Sequence, residues 1–182
     1  MKPNTKTVTL VGILAAMSAI LYMFPTFPIL PAFSWLEIDF ADVPALIVSA
    51  LVHPAVGAVV VLIRNLIHLP MSSTGMVGEL SNFLISASFV FCAGAFFRIF
   101  SRGKALSFKK IACAMPLAVI VQVIAAVLCN KYIMLRVFPI PSGATEYILM
   151  GVVPFNLIKT VISSILFLIV FKMLIPKIRQ YI

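Results

Sequence analysis

The chain has 182 residues, of which 63% are hydrophobic and only 10% are charged, and its mean hydropathy is +1.17. An average soluble domain is about 45 to 50% apolar and about 25% charged, so the composition excludes an ordinary soluble domain and indicates an integral membrane protein. The net charge of +9 does not indicate nucleic-acid binding, because no basic stripe is interleaved with base-stacking aromatic residues.

Six apolar segments predict an all-α membrane protein, with six transmembrane helices in a single bundle that comprises residues 1–182 as one domain. The segments cover residues 8–24, 43–52, 55–69, 77–97, 111–135 and 148–174. A span needs about 20 apolar residues, so this length allows six spans and leaves no room for a soluble catalytic domain. No convincing small-residue cleavage site follows the first segment, so we expect a retained span rather than a signal peptide.

The loop after the first segment, residues 24–36, is apolar for a connection. It carries prolines at three-residue spacing among aromatic residues and ends with Trp35 and Leu36. This spacing favours an extended, polyproline-like path. The loop is predicted either to lie in the lipid interface, where tryptophan is common, or to fold over the mouth of the bundle as a lid on an aromatic ligand.

The second and third segments are short, and acidic residues precede them. Asp39 or Asp42 is predicted to cap the second segment, which accounts for only one of these acids. Between the two segments, His53-Pro54 predicts a tight turn, because proline disfavours helix at the residue before it. We therefore expect the two segments to form a helical hairpin.

Polar residues on the third and fourth segments lie toward the outer side. Glu79 and Asn82 are three residues apart and share a helix face. A role at the helix N-terminus and a role in ligand binding are equally supported for Glu79, whereas the deeper Asn82 favours ligand binding. His68 follows Arg64 by four residues, and its pairing with Glu79 or with an acid of the first loop is favoured over ligand contact.

Lys159 lies in the middle of the sixth segment, three residues after Asn156, with no acid nearby in the sequence. A lone ammonium at membrane depth costs at least about 2.5 to 3.5 kcal/mol, so it indicates a functional site that faces inward, toward a polar ligand or a partner charge. If the last three spans are neighbours, polar side chains converge below the apolar loop, namely Glu79, Asn82, Asn130, Asn156 and Lys159. Such a pocket suits a neutral or weakly charged ligand with a flat ring and several hydrogen-bonding groups.

Three basic clusters predict the orientation in the membrane. They are Lys2 and Lys6; Arg98, Arg102, Lys104, Lys109 and Lys110; and Lys172, Lys177 and Arg179. Six spans place all three clusters on one side, which the positive-inside rule makes cytoplasmic. Both termini are therefore predicted to be cytoplasmic, and the basic balance of the chain reflects its orientation.

Common nucleotide and metal motifs are absent from the sequence. No G-x-x-x-x-G-K-[ST] phosphate-binding loop and no H-E-x-x-H zinc motif occur. Any energy from ATP must therefore come through a partner, and we expect neither a metal site nor a cofactor.

Five segments in this order resemble the riboflavin-specific substrate-binding component of energy-coupling-factor (ECF) vitamin transporters. They are L-E-I-D-F-A-D-V-P-A-L at 36–46, H-P-A-V-G at 53–57, R-N-L-I-H at 64–68, S-T-G-M-V-G-E-L-S-N-F at 73–83 and N-L-I-K at 156–159. The resemblance spans nearly the whole chain. One departure is Arg64, where many relatives are expected to have lysine; arginine keeps the charge and changes the hydrogen-bond geometry.

The resemblance implies a plasma-membrane protein that binds riboflavin from outside and delivers it through a transmembrane coupling subunit and two cytoplasmic ATPases. It assigns the ligand to Asn156 and Lys159, with Asn82 and Asn130 as further candidates. Glu79, Asp39, Trp35 and Leu36 complete the set of candidate ligand-binding residues, and no residue is assigned a catalytic role. Whether flavin mononucleotide (FMN) is also bound stays open.

The family also has a small-residue motif on its first helix that contacts the coupling subunit. Ala15 and Ala19 match this motif, and Gly12 and Ala16 form a second small pair four residues apart. Which pair faces the partner stays open, because packing inside the bundle would explain either.

Two alternatives remain at the level of sequence. The chain could bind another vitamin on the same scaffold, such as thiamine, biotin or folate, since a shared fold does not determine the ligand. It could also be a small intramembrane enzyme that uses Glu79, Asp39 or His68 as acid or base, which would require a second catalytic group within hydrogen-bond reach.

Overall fold

The computed structural model describes residues 4–24, 26–33, 36–101, 107–139 and 143–173, and these fold into a helical bundle. Its helices are α1 (Thr5–Met23), α2 (Asp42–Leu51), α3 (Pro54–His68), α4 (Gly75–Ser101), α5 (Phe108–Val137) and α6 (Ala144–Met173). Five of the helices, with α3 counted together with the 3₁₀ turn Leu69–Met71 that continues it, are long and apolar enough to cross a membrane. The prediction of six apolar helices in one bundle is confirmed, and α2, with ten residues, is about half as long as a full span.

The described part of the connection between α1 and α2 contains two short strands and a 3₁₀ turn (Pro31–Phe33), and it packs on the bundle. Two short strands, β1 (Phe27–Pro28) and β2 (Glu37–Ile38), pair antiparallel with Phe27 opposite Ile38. Between the strands, Phe33 is buried and meets the ring of Tyr147 on α6 edge to face, with ring centroids 5.4 Å apart. Trp35 lies outside the described residues. The described part of the loop therefore favours the second alternative, a path across the mouth of the bundle.

The predicted hairpin of α2 and α3 is present, and its turn has a clear local cause. His53 is extended and its Nδ1 accepts a hydrogen bond from the Ala55 N–H at 3.2 Å, while Pro54 occupies the first helical position. The two helices approach closely at Gly57, where an added Cβ would lie 2.7 Å from Ser49 Cβ. Tight packing of this kind explains why α2 is buried along almost its whole length.

The prediction that Asp39 or Asp42 caps α2 is wrong. The cap residue is Ala41, which has no side chain that can accept a hydrogen bond. Asp39 instead accepts from the Ala41 N–H at 2.9 Å, and Asp42 lies inside the first turn of the helix. Both carboxylates make ion pairs with distant residues, and these contacts outweigh a local capping role.

Two apolar clusters stabilise the bundle. The larger one joins all six helices and includes the stacked rings of Phe97 and Phe167, whose centroids are 5.6 Å apart. The smaller one packs Phe33 of the first loop against α4, α5 and α6 through Ile85, Ala126 and Val152. The helices are held together by the larger cluster, and the loop is held onto them by the smaller one.

Candidate functional site

A cavity of about 430 Å³ opens among α1, α3, α4, α5, α6 and the first loop. This volume lies in the range of pockets that enclose a small organic ligand, about 300 to 1,000 Å³. Seven of the eight candidate ligand-binding residues line it, namely Leu36, Asp39, Glu79, Asn82, Asn130, Asn156 and Lys159. The eighth, Trp35, lies outside the described residues. The sequence thus identified side chains that the fold brings together.

Lys159 is not a lone charge, because Asp39 lies against it. The Lys159 Nζ donates to Asp39 Oδ2 at 2.7 Å, and the two residues are 5% and 2% exposed. Burial by itself would raise the pKa of Asp39, but the charges of Lys159 and Arg64 and the hydrogen bonds from Lys159 and the Ala41 N–H hold that pKa below its usual range. Asp39 is therefore an ionised partner for Lys159 at the wall of the cavity.

Two asparagines flank this pair, one from α5 and one from α6. The Asn130 Nδ2 donates to the Ala126 carbonyl and the Asn156 Nδ2 donates to the Val152 carbonyl, each at 2.9 Å. Tyr147 donates its hydroxyl to Asn130 Oδ1 at 3.1 Å. Both amides are thus held in place by bonds to their own helices.

Turns of π-helix adjoin both asparagines. The turn in α5 covers Asn130–Met134, and the turn in α6 covers Tyr147–Val152, which ends four residues before Asn156. Such turns change the hydrogen-bond register of a helix and are frequent at functional sites. Their position next to the cavity supports a binding role for this end of α5 and α6.

A second polar group lies on the side of the cavity formed by α1, α3 and α4. The His68 Nδ1 is 2.8 Å from Glu79 Oε1, and Tyr22 donates its hydroxyl to Glu79 Oε2 at 3.4 Å. Next to them, the Asn82 Nδ2 donates to Asn65 Oδ1 at 2.9 Å. The expected pairing of His68 with Glu79 is confirmed, and Glu79 and Asn82 both line the cavity.

Arg64 and Asp42 form a fully buried ion pair beside the cavity. The Arg64 Nη2 donates to Asp42 Oδ1 at 2.7 Å, and both side chains are 0% exposed. The Arg64 guanidinium carbon also lies 5.2 Å from the ring centroid of Tyr22. This pair ties α3 to the start of α2, directly after Asp39, so it supports the position of the Asp39–Lys159 contact.

The sequence reasoning missed several polar residues of the cavity wall, among them the buried Ser81 and Ser86 on α4 and Gln122 on α5. A lone amide within an apolar span carries the same signal that identified Asn156, so Gln122 was detectable. Serines give no such signal, because they are common in membrane helices and often bond to their own backbone.

The two small-residue pairs of α1 face opposite ways. Ala15 and Ala19 are each 6% exposed and lie against the bundle, whereas Gly12 and Ala16 are exposed. An added Cβ at Gly12 would meet no atom of the described chain within 4 Å. Of the two candidate pairs, Gly12 and Ala16 are therefore open to another helix, and Ala15 and Ala19 pack inside the bundle.

The fold and the cavity together define a class, a multi-pass membrane protein whose helices enclose a polar-lined cavity of small-molecule size. The chain matches the family described as ECF transporter, substrate-specific component, over residues 6–171. It belongs to that family.

Individual relatives cover nearly the whole chain. It is 30% identical over 181 residues to the riboflavin transporter RibU of Staphylococcus aureus (strain TCH60), a match that covers 96% of this chain and 92% of that protein. It is 28% identical over 185 residues to the riboflavin transporter FmnP of Bacillus subtilis (strain 168), with 97% and 96% covered. A solved structure entitled "Structure and mechanism of the S component of a bacterial ECF transporter" has a TM-score of 0.79 and 29% identity, covering 96% of this chain and 98% of that one.

Proposed function

We propose that the chain is the riboflavin-binding component of an ECF-type importer. The observation that carries this proposal is the cavity of about 430 Å³, in which hydroxyls and amides accompany one internally neutralised lysine. Riboflavin is uncharged, has a flat ring with a hydrogen-bonding edge and carries a polyhydroxyl chain. The names of the relatives RibU and FmnP support the same ligand.

Purified protein tests this assignment directly. Added riboflavin should bind with quenching of its fluorescence, and protein prepared from cells should be yellow and should release a fluorescent species on denaturation. Thiamine and biotin are also water-soluble, but their rings differ in shape from that of riboflavin, so they should not compete with riboflavin for binding. Persistent failure to bind added riboflavin, or equal binding of thiamine, would exclude the proposal.

Within this proposal the cavity should discriminate against FMN, whose phosphate adds negative charge. Lys159 already neutralises Asp39, and no other lysine or arginine is among the described residues that line the cavity. Glu37 and Glu79 add negative charge at the same site, and Glu37 forms no ion pair with a described residue.

We therefore expect FMN to bind about tenfold or more weakly than riboflavin at neutral pH. Titrations of both ligands at low and high salt measure the difference, which should shrink as salt screens the repulsion. Equal affinities at low salt would contradict the charge argument.

The proposed importer includes a transmembrane coupling subunit and two cytoplasmic ATPases as partners. Family membership supports the presence of a transport complex, and the absence of a phosphate-binding loop in the sequence is consistent with separate ATPases. We also propose that both termini are cytoplasmic, with the cavity open to the outside. Of the basic residues behind that prediction, Lys2, Arg102, Lys104, Lys177 and Arg179 lie outside the described residues.

The exposed face of α1 is the proposed contact with the coupling subunit. Small residues four apart allow helices to approach closely in lipid, and Gly12 and Ala16 form such a pair on the outer face. Leucine at both positions should abolish most riboflavin uptake by cells and leave binding by the purified protein unchanged. The matched control replaces the buried Ala15 and Ala19, where leucine should reduce folding and binding together. Normal uptake by the Gly12 and Ala16 variant would exclude this face.

The alternative of an intramembrane enzyme gains no support as a function. The contact between His68 and Glu79 does satisfy the geometric condition for an acid–base pair. The relatives, however, are transporter components, and we propose no reaction.

A further inference from the structure

Three buried side chains of the cavity wall have polar atoms without a hydrogen-bond partner among the described residues. They are Ser81 Oγ, Ser86 Oγ and both amide atoms of Gln122. Ser81 is 3% exposed, and Ser86 and Gln122 are each 1% exposed. All three line the cavity. Buried polar groups in folded proteins are normally paired, so each unpaired group calls for an explanation.

The missing bonds do not follow from helix geometry, because other serines and threonines of the bundle use their own backbone. Thr160 donates to the Asn156 carbonyl, and Ser164 donates to the Thr160 carbonyl at 2.7 Å. Ser163 is also unpaired among the described residues, but it does not line the cavity. Gln122 is the strongest member of the set, since its donor and its acceptor are both unused.

Gln122 and Ser86 lie farther along their helices than the two polar groups already described, whereas Ser81 lies between Glu79 and Asn82 on α4. Gln122 precedes Asn130 on α5 by eight residues, a distance of about 12 Å along the helix axis. Ser86 follows Glu79 on α4 by seven residues, about 10 Å along that helix. Through Gln122 and Ser86, the polar lining therefore continues along α5 and α4 beyond the asparagine pair and the Glu79–His68 pair.

We propose that Gln122, Ser81 and Ser86 form an uncharged subsite that receives a neutral group of the ligand able both to donate and to accept hydrogen bonds. A primary amide presents a donor and an acceptor side by side, and each hydroxyl can act as either. This inference rests on the proposed function and assigns a part of the ligand to these residues. Riboflavin has two groups of this chemistry, the imide edge of its ring and the hydroxyls of its ribityl chain.

The test uses Gln122→Leu, which removes both amide atoms at similar volume, and a Ser81→Ala, Ser86→Ala double variant. Each should weaken riboflavin binding about tenfold, because bonds made only with the ligand are lost. The unfolding temperature of each variant without ligand should not fall below that of the wild type, since the atoms removed have no partner among the described residues. Ser163→Ala is the matched control and should change neither measurement.

Lumiflavin, which keeps the ring and lacks the ribityl chain, identifies the group that is bound. A Gln122→Leu effect on riboflavin and lumiflavin alike assigns the subsite to the ring edge; an effect on riboflavin alone assigns it to the ribityl hydroxyls. If the wild type binds riboflavin and both cavity variants bind it with the same affinity, the subsite is overturned and the proposed function stands. Failure of the wild type to bind either flavin overturns both.

Discussion

Replacing Lys159 by methionine should destabilise the protein by about 3 to 5 kcal/mol, since it leaves the buried carboxylate of Asp39 without its partner. Sequence reasoning alone leads to the opposite expectation, because a lysine with no acid nearby could be removed without cost to folding. The structure supplies the acid from 120 residues away. Thermal unfolding of the purified variant measures the loss.

Flavin affinity in a double variant then separates the structural role of Lys159 from its role in binding. Asp39→Asn combined with Lys159→Met removes both charges and should recover most of the stability. If Lys159 contacts the ligand, affinity stays low in the double variant although the protein is stable. Recovery of affinity with stability would make Lys159 a structural residue, and a stable Lys159→Met single variant would contradict the ion pair itself.

Arg64→Met should destabilise the protein by a similar amount, about 3 to 5 kcal/mol, because Asp42 would be left charged and fully buried. The loss should appear as a lower unfolding temperature and lower yield of folded protein. Riboflavin affinity of the folded fraction should change less than stability does, since Arg64 does not line the cavity.

Arg64→Lys is the matched control for this prediction. It keeps the positive charge, and the Arg64 Nε and Nη1 that it removes have no partner among the described residues. We therefore expect a smaller loss of stability than in Arg64→Met. Equal losses in the two variants would show that guanidinium geometry, not charge, is what this position requires.

The positions of polar groups along the helices could be predicted because a polar side chain is costly in an apolar span. Lys159, Asn156, Asn82 and Asn130 stand out against their surroundings for that reason, and all of them line the cavity. Their depth in the membrane could be predicted by counting residues from the ends of each span. This part of the site depends only on local sequence.

The ion pairs that the charged residues form could not be predicted, because they depend on which helices are neighbours. The Asp39–Lys159 pair joins residues 120 apart, and the Arg64–Asp42 pair removed a carboxylate that local rules assigned to a helix cap. A buried carboxylate needs an opposite charge as partner, because a buried charge left unpaired is strongly destabilising.

Which side of α1 packs against the bundle also could not be predicted from the local sequence. In water an apolar stripe marks the buried side of a helix, but lipid accepts apolar residues on every side. Ile13, Met17 and Ile20 are accordingly exposed although they are as apolar as the buried face. The choice between Ala15 with Ala19 and Gly12 with Ala16 therefore required the tertiary structure.

The short length of α2 affects the part of the bundle that lies next to the cavity. With ten residues, α2 is about 15 Å long, half of the roughly 30 Å hydrocarbon thickness. A full-length helix in its place would begin two or three turns earlier and would fill the volume where Asp39 now meets Lys159. The loop before α2 occupies that volume instead and brings Asp39 to the cavity wall, so we expect that lengthening α2 by two turns would withdraw this carboxylate from the site.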